Sequence, residues 1–483
     1  MNKFLFLTHR YLGIGISLIL LLWCLSGFVM MYKPYPELST QQQLEILEPL
    51  DFANCCSQLN QAELASSEYS QFQIQMLNQE PVLLLVSEFG QVSIVNLKSG
   101  QQFYGTSEEM ALAIANDYAR QHQYPAPTLR ATITNDQWTV YPSYDPHRPL
   151  YQFQANDDAG TQWYVSSLTG EIVQIITREQ RIWGYLGPVI HWLYPTILRE
   201  KAQLWNQTVI WLSVLGTFLT LTGIYIGLKQ YKVMKNGKRS PYKGMALWHH
   251  YVGLVFGLLT FTWMLSGLFS MQPWGLFEPS GASQERQAIQ GGTFTLDQIN
   301  LTLEQVSELP LENTPVMISG MNLQGSLFIT SINADLDINR YRADNLRPST
   351  LTETELYNLA TVILTEDGIK EAAMLYEEDS YYFSYHTQAS FPVYKVVADN
   401  KEQTIYYLNP LDGTISAKYD AANKGFRWFH LGLHRLDFTE LFRSRPLRDF
   451  FMWFLLTGVT LGVFTGFFLG IKRVYRSFLS SKD

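Results

Sequence analysis

The chain holds nine histidines, and four of them form two pairs that recur at a fixed spacing. His9 opens the run His9-Arg10-Tyr11-Leu12-Gly13, and 240 residues later stands His249-His250-Tyr251-Val252-Gly253. His191 precedes His434 by 243 residues. The other five have no histidine at the matching position. His250 answers to Arg10, His430 to Gly187, His147 to Ser390, His386 to Ser143 and His122 to Thr365. A neutral imidazole binds metals through one ring nitrogen, and it also moves protons or caps helices. A site built twice, or built across a symmetry axis, would retain its chemistry-bearing residues at the repeat spacing. That criterion selects His9, His249, His191 and His434.

The elements around these histidines read as membrane spans. Four charge-free runs, 11–32, 208–228, 251–271 and 450–471, reach the roughly 20 apolar residues that cross a bilayer. Two long polar stretches lie between them, so the composition is mixed: 47% hydrophobic, 16% charged, with mean hydropathy near zero. The net charge of −8 argues against nucleic acid as a partner. The segment 229–243 carries six basic residues and no acidic one. Lys3 and Arg10 precede or open the first run, and Lys472, Arg473, Arg476 and Lys482 follow the last. Basic segments stay in the cytoplasm, so both termini are expected there and both long stretches in the periplasm of an inner-membrane protein. The first run is expected to be a retained helix, because no small-residue cleavage site follows its long apolar core.

Self-similarity extends well beyond the histidines. Trp23, Leu25, Ser26 and Gly27 return as Trp263, Leu265, Ser266 and Gly267 at an offset of 240. Thr222, Gly223 and Gly227 return as Thr465, Gly466 and Gly470 at an offset of 243. Pro149, Tyr151, Tyr164, Leu168, Gly170 and Ile172 also recur at 243, as Pro392, Tyr394, Tyr407, Leu411, Gly413 and Ile415. The expectation is a tandem duplication of a helix, an outside domain and a helix, assembled as a four-helix bundle with a pseudo-twofold axis along the membrane normal.

Each outside domain reads as small α+β with an antiparallel sheet. In the first, a helix over 108–121 precedes strands near 128–134, 138–143, 150–155 and 162–167 and a turn at 168–171. In the second, a helix near 353–365 precedes strands near 371–377, 380–386, 392–398 and 404–409 and a turn at 411–414. The expected division is a first span over 1–32, an outside domain over 33–180, an interface segment and second span over 181–228 and a basic loop over 229–245. A third span over 246–271, a second outside domain over 272–425, an interface segment and fourth span over 426–472 and a tail over 473–483 complete it.

On this topology His9 and His249 sit at the cytoplasmic start of a span, and His191 and His434 precede a span on the periplasmic side. Each pair can meet across the axis. A structural zinc wants four ligands, and Cys24 is deep in its span, far from either pair. A haem iron needs two axial ligands within an apolar cage. Gly13 and Gly253, four residues past their histidines on the same helix face, leave room for a porphyrin edge. No C-x-x-C-H is present, so two non-covalent b-type haems are expected. His250 and His430 are substitute ligands, His430 lying one turn before His434. Arg10, Arg427 and Arg435 flank the histidines and suit haem propionates, or are ordinary positive-inside and surface charge. Cys55 and Cys56, an adjacent pair without a counterpart, could form a disulfide in an oxidising compartment.

The paired His-x-Tyr-x-Gly and Trp-x-Leu-Ser-Gly runs resemble the PepSY-associated transmembrane proteins. The segments closing on Leu168-Thr-Gly170-Glu-Ile and Leu411-Asp-Gly413-Thr-Ile resemble PepSY domains. The resemblance spans nearly the whole chain and is more specific in the helices than outside them. It implies a haem-binding inner-membrane reductase acting on ferric iron carried by a siderophore in the periplasm. Some relatives carry a fused flavoprotein domain; the cytoplasmic loops here are too short for one, so a separate cytoplasmic or membrane donor, a flavoprotein or a quinol, is expected. The expected function is therefore transmembrane electron transfer by an oxidoreductase embedded in membrane lipid. The alternatives are a haem-free anchored periplasmic binding or regulatory module and a quinol-linked cytochrome b without iron specificity. The aromatic run Tyr381-Tyr382-Phe383-Ser384-Tyr385-His386 reads as core packing before it reads as an acceptor site.

Overall fold

The structure is a computed structural model, and it describes residues 2–53, 55–56, 59, 68–88, 90–233, 237, 239–306, 315–365, 367–384 and 389–479. The four apolar runs form helices Asn2–Met30, Ala202–Gln230, Met245–Phe269 and Leu447–Leu479, the first to fourth spans, each long and apolar enough to cross a membrane. The first and third helices begin before their apolar runs and end two residues short of them, whereas the second and fourth overrun theirs at both ends. A 29-residue helix is about 43 Å long, enough to cover the polar headgroup layers as well as the hydrocarbon. The first and third spans each pack along both the second and the fourth. The first and third therefore face one another across the bundle axis, and so do the second and fourth.

The spans and their flanks form one compact unit, Met1–Pro36, Glu179–Pro279 and Ala421–Asp483. The rest, Glu37–Arg178 and Ser280–Asp420, forms a second unit. Its strands are β1 (Glu68–Leu77), β2 (Glu80–Ser87), β3 (Val92–Asn96), β4 (Gln102–Phe103), β5 (Thr128–Ile133), β6 (Leu150–Gln154), β7 (Gln162–Ser166) and β8 (Ile172–Ile176) from the first stretch. The second stretch supplies β9 (Phe294–Thr295), β10 (Met317–Leu323), β11 (Ser326–Ile332), β12 (Ile338–Arg342), β13 (Ile369–Leu375), β14 (Val393–Ala398), β15 (Ile405–Leu408) and β16 (Ile415–Tyr419).

Two four-stranded antiparallel meanders form, β5-β6-β7-β8 and β13-β14-β15-β16; their first three strands lie where the sequence reading places strands, whereas β8 and β16 follow the expected closing turns and are not among the expected strands. Each is covered by a helix with a built start. Ser107 accepts from the Met110 amide to begin Glu108–Gln121, and Thr352 with Glu355 forms a capping box for Glu353–Ile363. The first helix lays Ala111, Ala115 and Ala119 on Phe153, Trp163 and Val165; the second lays Leu356, Leu359 and Ala360 on Tyr394, Val396 and Leu408. Gly170 and Gly413 take φ of +76° and +77° in the turns after β7 and β15, a left-handed backbone that suits glycine.

Two expected strands do not form. Residues 138–143 are a loop leading into the short helix Pro142–His147, and 380–384 are also irregular. Tyr385 and His386 lie outside the described residues. The cause is the same at both places. Asp136 Oδ1 accepts from the amides of Trp138 and Thr139, and Asp379 Oδ1 from those of Tyr381 and Tyr382. An aspartate that captures the next amides offers the backbone an alternative to a ladder.

The sequence reading has each stretch fold its own small domain. Each does own one meander, but a third sheet pools strands from both, in the order β12-β11-β10-β1-β2-β3-β4 with β9 on β1. β1 pairs antiparallel with β10, placing Phe72 opposite Gly320 and Ile74 opposite Ile318. One core lies under it, drawn from Phe72, Ile74, Leu83 and Leu85 of the first stretch and Phe294, Ile299, Ile318 and Ile329 of the second. Cys55 and Cys56 are joined by a disulfide and pack against that core.

Candidate functional site

The diagonal placement of the first and third spans brings His9 and His249 together, with ring centroids 6.3 Å apart. Their surroundings match. His9 Nδ1 donates to the Leu219 carbonyl at 3.1 Å and lies 3.4 Å from Thr222 Oγ1 on the second span. His249 Nδ1 donates to the Gly462 carbonyl at 3.1 Å and lies 3.1 Å from Thr465 Oγ1 on the fourth. A carbonyl oxygen can only accept, so Nδ1 carries the proton and Nε2 keeps its lone pair. The glycines after the threonines let the rings lie flat on the helix. A Cβ at Gly223 would stand 2.7 Å from His9 Cε1, and one at Gly466 would stand 3.0 Å from His249 Cε1.

His191 and His434 also meet, with centroids 6.1 Å apart. Neither lies on a span helix. Each follows a stretch of wider π-helix, Tyr185–Val189 and Arg427–Gly432, a distortion common at functional sites. The first stretch packs on the end of the first span and the second on the third span. His191 Nδ1 donates to the Trp23 carbonyl and to the Ser26 hydroxyl oxygen, both at 3.1 Å. Ser266 Oγ spends its own proton on the Trp263 carbonyl, so its oxygen accepts from His434 Nδ1 at 3.0 Å. Here too Nε2 keeps its lone pair. Burial pushes the pKa of His191 down to about 4, with the His430 ring adding to the fall against the pull of the Trp23 carbonyl. Burial, then His430 and His191, holds His434 well below the usual histidine range. Both are therefore neutral, the form that binds a metal.

Two imidazoles sharing one metal through bonds of about 2.0–2.1 Å have centroids about 6 Å apart. Both pairs have that spacing, and all four rings are oriented by a hydrogen bond from the other nitrogen, as metal-bound histidines usually are. The residues present thus fit an iron that takes two axial imidazoles.

The other candidates fare differently. His250 is not available as a substitute ligand: its Nε2 donates to the Gly227 carbonyl and its Nδ1 accepts from Ser240, each at 2.8 Å. It ties the loop after the second span to the third. His430 stays beside the second pair, 5.4 Å from the His434 ring, with Nδ1 donating to the Ser266 carbonyl at 2.9 Å. Arg427 is buried and committed to Asp437, donating to its carbonyl at 2.8 Å and to Oδ1 at 3.2 Å, which removes it as a propionate partner. Arg435 fits that role better. Burial, and then the neighbouring Arg448 charge, pull its pKa down to about 10, so an added anion would be favoured there. Arg10 is exposed. Gly13 and Gly253 are not the tight glycines: a Cβ would meet only Leu219 Cδ1 at 3.8 Å at the first and nothing within 4 Å at the second. Sequence reasoning found the repeats of Ser26, Thr222 and Gly223 with Ser266, Thr465 and Gly466 without assigning them a role. Their recurrence in register was the signal.

The family model of the PepSY-associated TM region matches residues 6–293. The chain belongs to that family. The match takes in the first three spans together with His9, His191 and His249, while His434 lies beyond it. Together with the four apolar helices, it makes this a multi-pass membrane protein with PepSY-like sheet domains. Comparison with curated proteins gives no match.

Proposed function

We propose that this chain is a di-haem b-type electron-transfer protein of a bacterial inner membrane, taking electrons from a cytoplasmic or membrane donor and delivering them to ferric iron bound to a siderophore in the periplasm. The observation that carries the reading is the pair of matched imidazole sites at the two ends of one helix bundle. Ser26 stands seventeen positions after His9 on the first span, which is about 25 Å of helix and most of a bilayer core. A tandem duplication accounts for the two halves of each site being alike, and the basic loop 229–243 favours the His9–His249 end as cytoplasmic.

Bound haem supplies one-electron uptake and release at each site. The chain's own residues do the rest. His9 and His249 hold the inner group and His191 and His434 the outer one, each through Nε2. The Leu219, Gly462 and Trp23 carbonyls and the Ser26 and Ser266 hydroxyls fix ring orientation and raise ligand basicity. Arg435 is suited to a carboxylate of the outer group. The visible spectrum of the protein purified in detergent from haem-supplied cells tests the reading. Reduced b-type bands should appear on adding dithionite and be bleached by ferric-siderophore. A protein without such bands would be the haem-free anchored module instead. Bands that ferric complexes leave unchanged while a quinone reoxidises them would make it a quinol-linked cytochrome without iron specificity.

A further inference from the structure

On the first span, Ile16 and Leu20 lie between the levels of His9 and Ser26 in a largely saturated apolar cluster. A buried cluster of Ile16, Leu20 and Leu219 is bordered by Leu12, Leu212, Met264, Val463 and Trp23. Trp23 is the sole aromatic residue among them. It touches both sites through its own atoms and one neighbour. Its carbonyl accepts the hydrogen bond from His191, while its side chain packs on the cluster containing Leu219, whose carbonyl accepts from His9. Helical side chains lean toward the helix N-terminus, which on the first span is the His9 end. Trp263 stands at the equivalent place on the third span, and its carbonyl accepts from the Ser266 hydroxyl that holds His434.

The indole nitrogens sharpen the point. Among the described residues, Nε1 of Trp23 and Nε1 of Trp263 are both buried without a hydrogen-bond partner. Leaving such a donor unmet costs about 1–3 kcal/mol. A phenylalanine would offer an apolar aromatic surface without an unmet donor, so apolar burial alone does not call for an indole at both places.

We propose that Trp23, with Trp263 as its equivalent, is the electronic bridge between the two histidine pairs; this rests on the di-haem reading. Electron tunnelling falls exponentially with distance and falls less steeply through a conjugated ring than through saturated chains. One electron passes from iron(II) held by His9 and His249 to iron(III) held by His191 and His434. The indole lowers the barrier and is itself neither oxidised nor deprotonated at the end.

The test uses the full-length protein in detergent, with Trp23→Leu, Trp263→Leu, the double variant and Trp211→Leu, an exposed tryptophan of the second span, as control. Haem content and reduced spectra are recorded first. A photoexcited flavin then delivers less than one electron per molecule, and haem absorbance follows its redistribution. Trp23→Leu and the double variant should bind both haems with unaltered spectra yet redistribute the electron at least an order of magnitude more slowly, while Trp211→Leu matches the wild type. A double variant with both haems and a wild-type rate overturns the bridge. If Trp23→Leu releases the outer haem, Trp23→Met, longer, more adaptable and equally free of a conjugated ring, carries the same comparison. A wild-type protein without haem bands would instead remove the di-haem reading, and that outcome is visible before any kinetics.

Discussion

At the scale of single residues, the outcome rests on which nitrogen of each imidazole is occupied. The described histidines share one side chain, yet hydrogen bonds separate the paired ones from His250. His250 has both nitrogens engaged, whereas the four paired histidines have Nδ1 tied and Nε2 left over. If the proposed di-haem reading holds, His9→Ala or His249→Ala should lose one haem, and His191→Ala or His434→Ala the other, with haem per protein measured by pyridine haemochrome. Loss of both from one change in a folded protein would contradict separate sites. His250→Ala should keep both. Ser26→Ala and Ser266→Ala should weaken outer haem binding by about 10–100-fold, the usual cost of removing a partner behind a metal-binding histidine; haem transfer to apomyoglobin reads this directly. The repeat made the four histidines legible in advance. The carbonyls of Leu219 and Gly462 were not legible, because a backbone acceptor is present at every position and carries no side-chain signature.

At the scale of elements, long periodic segments were readable and short ones were contested by local chemistry. The helix Glu108–Gln121 matches its expected bounds, since amphipathic spacing and a serine cap agree there. The failed strands at 138–143 and 380–384 show the opposite case, where an aspartate outcompetes β-favouring aromatic residues. Asp379 does more than shape its loop. It accepts from Lys395 Nζ at 2.8 Å and from the buried Tyr407 hydroxyl at 2.7 Å. Burial opposes its ionisation, but these bonds and the Tyr381 and Tyr382 amides outweigh it and hold the carboxyl below the usual aspartate range. A folded pKa below the unfolded value of about 3.9 gives stability that is present above that value and lost as pH falls through the folded one. Thermal unfolding in detergent should therefore show wild-type protein losing this contribution below about pH 4. Asp379→Ala should cost about 2–3 kcal/mol near neutral pH, as expected for lost hydrogen bonds to a charged group, and should narrow the difference from wild type on acidification. An unchanged difference from neutral to acid pH would refute the assignment.

At the scale of the whole molecule, the pooled sheet means that neither polar stretch folds its full core alone. The β1–β10 seam is closed by Gly320, where a Cβ would overlap the buried Phe72 ring. Gly320→Ala should thus destabilise the sheet unit by about 1–3 kcal/mol, the usual cost of overpacking, lowering its melting temperature without changing haem content. An unaltered melting temperature would show that the seam tolerates a side chain. By itself the sequence determined the four spans, the four repeated histidines, three strands of each meander and the covering helices. Those follow from side-chain type and local period, which each segment carries within itself. Only the tertiary structure decided that His9 meets His249 and His191 meets His434, which backbone groups orient them, that Arg427 belongs to Asp437, and that two stretches share one sheet. Such choices depend on many weak packing contacts and on backbone groups common to all residues, so no single segment specifies them. For the paired histidines the repeat chose the residues, and the diagonal packing of the first and third spans decided what they could hold between them.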